Sequence, residues 1–333
     1  MDFGKLFTDF SSLKVAVVGD VMLDTYWWGK VDRISPEAPV PVVSLYKKEQ
    51  RIGGAGNVAL NTVALNAETA LFSVTGEDED ADVLINLLQQ QHIDTKYIVR
   101  SADRITTNKI RIISRNQHML RLDSEVTADI SPEDEASVLK NFISFVKRYQ
   151  PAVVIFEDYN KGVLTKSLIE AIIHVCKTHG IATTVDPKRK NFFSYEGVDI
   201  FKPNLKEVKE GLNLLTEELS EEALRNIHEQ LHEKLHHRIS LITLSEKGIY
   251  LQKGNFTRLI PTHIRNVADV SGAGDTVIAV ASLVFASAKD ITLAGEIANI
   301  AGGLVCEEVG TVAINREKLQ KECELLLGKS QGS

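Results

Sequence analysis

The chain has 333 residues, and its 44% hydrophobic and 25% charged residues are typical of a globular protein, which excludes disordered and fibrous classes. The net charge of −7 argues against nucleic acid or an anionic membrane as the main partner, although a local basic pocket for a phosphorylated small molecule stays open. The three cysteines form no CxxC, so neither a disulfide framework nor a zinc site is indicated, and the lack of a leader pattern predicts a cytoplasmic protein.

Short apolar strands alternate with helical periods along most of the chain. The predicted strands have the composition of strands buried on both faces, and they span 14–19, 69–74, 152–156, 181–185 and 239–244. The predicted helices carry apolar residues at helical spacing, and they span 56–65, 80–91, 132–148, 165–178, 221–235 and 277–286. This alternation predicts one α/β domain over residues 1–333, with a mostly parallel central sheet and helices on both faces.

Two segments in the N-terminal half interrupt the alternation. Residues 26–46 contain three prolines, two tryptophans and a β-like run at 41–45. Residues 105–123 alternate apolar and polar side chains on either side of Arg115-Asn116-Gln117, a pattern typical of a hairpin. We interpret both segments as a small β-rich lid inserted over the main sheet. The alternative is a pair of surface excursions without a role.

Residues 269–276, with the sequence DVSGAGDT, form a glycine-rich turn that leads into the helix predicted from 277. The start of a helix presents unpaired backbone N–H groups and a positive dipole end, and glycines let phosphate oxygens approach the backbone. A carboxylate inside such an anion site is poorly placed for a purely structural role. We therefore interpret Asp275 as a general base that takes a proton from a hydroxyl attacking phosphorus.

With two further motifs, this octapeptide resembles the ribokinase-like (phosphofructokinase-B type) carbohydrate kinases. Residues 53–59, GGAGNVA, are similar to the sugar-binding signature of that family, and 202–207, KPNLKE, are similar to its N-x-x-E motif. The motifs occur in the family's order, and the similarity covers residues 12–328. The resemblance implies a ribokinase-like fold, ATP and Mg²⁺ as cofactors, and a homodimer formed through the β-lid, and it leaves a monovalent cation open.

Finer matches point to the members of this family that phosphorylate D-glycero-β-D-manno-heptose 7-phosphate. These matches lie at 19–24, 33–41, 114–117, 186–188 and 299–310. They imply ATP-dependent phosphorylation of the anomeric hydroxyl to the 1,7-bisphosphate, on the way to ADP-heptose and the lipopolysaccharide core. The loop 156–162 departs from the family pattern, which has a small residue before the aspartate and glycine before the lysine.

The expected site residues follow from the motifs and from their places at strand and helix ends. Catalysis is assigned to Asp275, Gly272, Ala273 and Gly274. Substrate binding is assigned to Asp24, Gly53, Gly54, Asn57, Arg115, Arg121, Asp158 and Lys188. ATP binding is assigned to Asn204, Glu207, Ser245, Gly248, Gly272, Gly274 and Asn299.

Physical chemistry supports these roles and also offers simpler ones. Asp24 follows the strand 14–19 at the edge where open α/β sheets bind ligands, and the alternative is an aspartate that caps a turn. Glu207 is expected to hold Mg²⁺ through water, but it could also be a favourable acid in a first helical turn. Basic residues at the lid and at 188 would suit the distal phosphate of a sugar phosphate, although loop cations are often merely solvated.

Two other functions stay open. The chain could phosphorylate a different sugar or sugar phosphate, since specificity depends on the lid and the basic residues rather than on the signatures. It could also be a non-catalytic sugar- or nucleotide-binding module, although an intact Asp275 argues against this. Nucleotidyl transfer is rejected, because the sequence has no H-x-G-H type of phosphate motif.

Overall fold

The computed structural model describes residues 2–115, 117–215 and 220–328. The strands are β1 Lys14–Gly19, β2 Val21–Ile34, β3 Pro41–Gly54, β4 Glu68–Gly76, β5 Ile98–Ser101, β6 Asn108–Ser114, β7 Gln117–Ser124, β8 Val153–Glu157, β9 Ala182–Asp186, β10 Ile200–Phe201, β11 Ile239–Thr243, β12 Ile249–Lys253 and β13 Phe256–Ile260. The helices are α1 Phe3–Asp9, α2 Ala55–Ala64, α3 Glu79–Gln90, α4 Pro132–Tyr149, α5 Lys166–His179, α6 Leu205–Leu212, α7 Glu221–Leu235, α8 Ala273–Ala288, α9 Ile291–Val305 and α10 Arg316–Leu327. Within the described ranges, no helix has the length and apolar character needed to cross a bilayer.

The large sheet has nine strands in the order β13-β12-β11-β10-β9-β8-β1-β4-β5. Neighbours from β11 to β5 pair in parallel, and β12 and β13 add an antiparallel edge that the sequence pattern did not predict. The strand order reverses at β1, which pairs with β4 on one side and β8 on the other. Ligands of open α/β sheets bind at the carboxyl ends of the strands beside such a reversal.

Helices cover both faces of this sheet. Val15 and Val17 of β1 pack into a core with α1, α2, α3, α8, α9 and α10, while Ala16 and Val18 pack into a second core with α4, α5, α6 and α7. Alternate residues of one strand therefore enter opposite cores, which explains why the strand is apolar throughout. The predicted α/β architecture is confirmed.

A second sheet contains four strands in the order β3-β2-β6-β7. The central pair β2–β6 is parallel, and the outer pairs are antiparallel. This sheet extends beyond the predicted lid segments, since β2 begins at Val21 and β3 ends at Gly54. Residues 21–26 of β2 and 52–54 of β3 are buried, so their sequence resembles that of the core strands and does not mark them as part of the lid. Asn116, in the predicted hairpin turn, lies outside the described residues.

Candidate active site

The predicted anion-binding turn opens helix α8. Gly272 has a φ of +77° and occupies the N-cap position, and the helix begins at Ala273. A Cβ at Gly272 would lie 2.8 Å from Asn57 Nδ2, so the position requires glycine both for its backbone conformation and for its close contact with α2. The start of the helix borders a cavity of about 810 Å³, which is large enough for a nucleotide.

Six of the residues assigned to ATP from the sequence line this cavity. They are Asn204, Ser245, Gly248, Gly272, Gly274 and Asn299. Asn299 donates a hydrogen bond to the backbone oxygen of Pro261 at 2.8 Å, which ties α9 to the loop after β13. Residues far apart in sequence therefore surround one space that begins at the N-terminus of α8.

Asp275 is buried in the first turn of α8, at one end of the cavity. Its Oδ2 accepts a hydrogen bond from Asn57 Nδ2 at 2.7 Å, and its Oδ1 accepts one from the Tyr159 hydroxyl at 2.8 Å. Burial raises the pKa of Asp275, and the two hydrogen bonds oppose this rise. The carboxylate is thus held in one orientation by the sugar-binding signature and by the loop after β8.

The sequence analysis did not assign a role to Tyr159 or to two acids beside Asp275. Glu157 and Asp186 end the adjacent parallel strands β8 and β9 and are paired in register. Oxygen atoms of Glu157, Asp186 and Asp275 lie within 4.8 Å of one another, and all three residues are buried. Their positions at the carboxyl ends of predicted strands were a signal that could have identified them.

Two lysines counter the charge of this acidic cluster. Lys202 Nζ lies 2.7 Å from Asp186 Oδ2, and Lys188 Nζ lies 3.4 Å from Asp186 Oδ1. Although burial opposes it, these cations hold the pKa of Asp186 below its ordinary value. Glu157 has no such partner: burial and the neighbouring carboxylates raise its pKa well above the ordinary value, and within the described residues its two oxygens accept no hydrogen bond.

The predicted sugar-binding residues are brought together at the start of α2. Asp24 is buried on β2 and accepts a hydrogen bond from Arg111, and a Cβ at Gly53 would lie 2.4 Å from Asp24 Oδ2. Gly54 and Asn57 continue this surface toward Asp275. Of these residues Asn57 contacts the candidate base directly, and sugar binding by the set stays a prediction.

Gly54 provides a test of this close packing, because Gly254 offers a matched control. Both have a left-handed φ, +58° and +54°, but a Cβ at Gly54 would lie 2.3 Å from the backbone oxygen of Asp20, whereas nothing lies within 4 Å at Gly254. Gly254→Ala should lose about 1–2 kcal/mol through backbone strain, and Gly54→Ala should lose more, because its ψ of −136° lies outside the left-handed helical region and overpacking adds a further ~1–3 kcal/mol. Urea unfolding of both variants measures the difference, and equal losses would contradict the packing argument.

The N-x-x-E motif forms a helix cap. Asn204 Oδ1 accepts a hydrogen bond from the backbone N–H of Glu207 at 2.9 Å, and Glu207 Oε2 accepts one from the backbone N–H of Asn204 at 2.8 Å. This reciprocal pair is a capping box at the start of α6. The other oxygen of Glu207 accepts a hydrogen bond from Lys188 at 2.6 Å, so the motif is connected through Lys188 to the acidic cluster.

Two residues expected at the sugar, Asp158 and Lys188, have contacts that argue for other roles. Asp158 accepts hydrogen bonds from Tyr195 and Asn191, which commits its carboxylate to the fold. Lys188 donates a hydrogen bond to Glu207 in the wall of the cavity that the residues assigned to ATP line, which argues for a role on the nucleotide side.

The two lid arginines lie on the β6–β7 hairpin, where the sequence pattern predicts them, and their role at a phosphate stays a prediction. Arg121 is exposed and forms two hydrogen bonds of 2.8 Å with Asp123 on its own strand. Arg115 is exposed beside the turn between β6 and β7. Strand register pairs Arg121 with Arg111, on the same face of the sheet as Asp24 and Lys109.

Comparison with known proteins gives three findings. The pfkB family carbohydrate kinase profile matches residues 12–318. The chain is 40% identical over 310 residues to the bifunctional protein HldE of Methylobacillus flagellatus, and 37% identical over 312 residues to that of Geobacter sulfurreducens. Each alignment covers 93% of this chain and 63% of the relative, so the chain spans less than two thirds of the length of these relatives.

Two solved structures show the same ribokinase-like fold. Arabidopsis thaliana ribokinase complexed with ribose and ATP has a TM-score of 0.72 and 18% identity, covering 93% of this chain and 99% of that chain. Phosphofructokinase-2 from Escherichia coli in complex with potassium has a TM-score of 0.77 and 14% identity, covering 93% of this chain and 97% of that chain.

Proposed function

From the premise that this chain belongs to the pfkB family of carbohydrate kinases, we propose that it phosphorylates the anomeric hydroxyl of D-glycero-β-D-manno-heptose 7-phosphate. Family membership makes the chain an ATP-dependent carbohydrate kinase, and the proposal concerns its sugar. The finer sequence matches support this choice of sugar. The product would be the 1,7-bisphosphate, an intermediate toward ADP-heptose and the lipopolysaccharide core.

The observation that carries the transfer chemistry is the contact between Asn57 and Asp275. It joins the sugar-binding signature to the glycine-rich turn at the cavity. A sugar hydroxyl placed against Asp275 would lose its proton to that carboxylate as its oxygen attacks the γ-phosphorus. The backbone N–H groups at the start of α8 would stabilise negative charge on the transferring group.

The acidic cluster fits the Mg²⁺ that such kinases use. Glu157 offers two buried oxygens without a hydrogen-bond partner among the described residues, next to Asp186 and Asp275. Carboxylate oxygens with water are the ligands that Mg²⁺ prefers, and the bound ion would neutralise charge on the phosphates of ATP. Glu207 is connected to this cluster through its hydrogen bond with Lys188, which supports the proposal that it acts on the metal through water.

Glu207→Gln should raise the Mg²⁺ concentration needed for half-maximal turnover by roughly tenfold, because a negative charge is removed beside the metal site. Glutamine can still accept the hydrogen bond of the capping box, so helix α6 should stay folded. Mg²⁺ titration at fixed ATP tests this, with Glu210→Gln on the same helix as the control. Superimposable curves for Glu207→Gln and wild type would exclude a metal role.

Product analysis tests the sugar assignment. The protein should consume ATP with heptose 7-phosphate and give a product with two phosphates, one at the anomeric carbon, as ³¹P NMR would show. Preferred turnover of ribose, fructose 6-phosphate or 2-keto-3-deoxygluconate would identify a different sugar kinase. Binding of sugar and nucleotide without turnover would identify a non-catalytic module.

We also retain the proposal of a homodimer formed through the four-stranded sheet. The support is a set of exposed apolar side chains on its two edge strands, Leu45 on β3 and Leu120 and Leu122 on β7. Exposed apolar residues on sheet edges are candidates for an interaction surface.

A further inference from the structure

One face of the four-stranded sheet is charged. Strand register places Lys109 of β6 between Asp24 of β2 and Asp123 of β7, and Arg111 follows two residues later on the same face. Ile110 lies between them and points to the opposite face, because successive side chains of a strand alternate. Asp24, Lys109, Arg111 and Asp123 therefore share one face of the sheet, opposite to Ile110.

The charged face is turned toward the candidate active site. Arg51 pairs with Asp24 across β2 and β3, and its guanidinium donates hydrogen bonds to the backbone oxygens of Val309 and Thr311. Thr311 also lies against the glycine-rich turn 269–276, since a Cβ at Gly272 would lie 3.3 Å from the Thr311 side chain. The same segment therefore touches both the charged face and the start of α8.

A second connection comes from the loop after β8. The buried carboxylate of Asp20 accepts hydrogen bonds from the backbone N–H groups of Tyr159, Lys161 and Val163, at distances of 2.8 to 3.0 Å. These hydrogen bonds hold the loop in the position in which the Tyr159 hydroxyl donates a hydrogen bond to Asp275. Lys161, two residues further, extends from the same loop toward the charged face of the sheet.

Lys161 and Lys109 are held side by side there. Lys161 Nζ lies 2.7 Å from Glu125 Oε1, while Lys109 Nζ lies 3.8 Å from both Glu125 Oε2 and Asp123 Oδ2, beyond hydrogen-bond distance. The two lysine side chains are only 13% and 15% exposed. Burial and the adjacent Lys161 lower the pKa of Lys109. Two largely buried ammonium groups are thus brought together, and that of Lys109 lies beyond hydrogen-bond distance from both carboxylates.

We infer that Lys109 and Lys161 form the subsite for the phosphate group that the acceptor sugar already carries. This inference rests on the proposed function and specifies how a sugar phosphate is distinguished from a free sugar. Paired ammonium groups suit a phosphate dianion, whose oxygens accept several charge-assisted hydrogen bonds. Glu125 is a positioning residue that keeps the two lysines adjacent, and Arg111 is a positioning residue that orients Asp24.

The other cations near the site are committed elsewhere. Arg121 is 57% exposed and paired with Asp123, and Lys188 is bound between Asp186 and Glu207 on the nucleotide side. Lys109 and Lys161 combine partial burial with a place between the sheet and the loop that carries Tyr159. That combination distinguishes them from solvated lysines.

The test compares kcat/KM for heptose 7-phosphate and for unphosphorylated heptose. Lys109→Ala and Lys161→Ala should each lower the value for the phosphorylated sugar by about 10- to 150-fold, the loss expected for one charge-assisted hydrogen bond. The value for the free sugar should change little. Lys47→Ala, which removes an exposed lysine from β3 of the same sheet, is the control and should behave as wild type on both sugars.

Equal losses on both sugars, or no loss on either, would overturn the subsite, and so would a selective loss confined to Arg115→Ala or Arg121→Ala. If either alanine variant fails to fold, Lys109→Arg and Lys161→Arg keep the charge and should retain the preference for the phosphorylated sugar. If wild type leaves heptose 7-phosphate untouched, the proposed sugar is wrong. The same comparison then applies to the phosphorylated and free forms of whichever sugar is turned over. Its outcome tests the lysine subsite independently of the sugar assignment.

Discussion

Asp275→Asn should bind both substrates and lose turnover by about 10²- to 10⁴-fold, the usual cost of removing a positioned base. The fold should survive because asparagine is nearly the same size and can keep both contacts. Its oxygen can accept from Asn57, and its amide nitrogen can donate to the Tyr159 hydroxyl, which replace the two hydrogen bonds of the carboxylate. The loss is therefore a loss of proton acceptance rather than of structure.

The measurement is kcat together with nucleotide binding, each with a thermal melt as a check on folding. Because burial raises the pKa of Asp275, wild-type turnover should fall as the pH drops through that pKa, and this limb should disappear in the variant. Tyr159→Phe is the matched control, since it removes one hydrogen bond and leaves the base. Retention of more than about a tenth of wild-type turnover in Asp275→Asn would show that another group takes the proton.

Lys202→Met should lower the free energy of unfolding by about 3–5 kcal/mol, because it leaves a buried charge without its partner. The Lys202 side chain is 3% exposed, and its ammonium group is 2.7 Å from Asp186 Oδ2. Without it, Lys188 alone counters the three buried carboxylates Glu157, Asp186 and Asp275. Asp186, whose low pKa depends on both lysines, is then less well compensated, and this favours the unfolded chain, where water solvates its charge.

Denaturant unfolding measures this loss, and Lys206→Met provides the control, since that lysine is 84% exposed and should change stability little. The double variant Lys202→Met/Asp186→Asn should recover part of the lost stability, because the unpaired charge is removed along with the cation. A Lys202→Met protein as stable as wild type would show that the acids are already protonated in the native state.

Local pattern alone determined much of the fold. The predicted helix at 221–235 agrees with α7, and the predicted strand at 14–19 agrees with β1. The helix has apolar residues at helical spacing and the strand is apolar throughout, and these side chains must be buried in any packing arrangement. The two-residue strand β10 was not predicted, because a segment so short has no periodicity of its own.

The sequence alone predicted a chemical role only where the residues responsible lie within one short segment. The turn at 269–276 combines glycines, a helix start and a carboxylate, so its anion-binding character could be predicted without partners. The N-x-x-E motif likewise lies within one turn of α6. Its helix-capping role depends on backbone groups next to it in the chain, and the structure shows that role directly.

Strand order and register decided everything that requires distant residues to meet. Glu157 and Asp186 are 29 positions apart by residue number and become neighbours because β8 and β9 pair in parallel. Lys109 and Lys161 approach each other because β6 joins the second sheet while Asp20 anchors the loop after β8. The residue types at these positions were visible in the sequence. Which cation meets which carboxylate depends on pairing energies summed over the whole sheet, and no local segment contains that information.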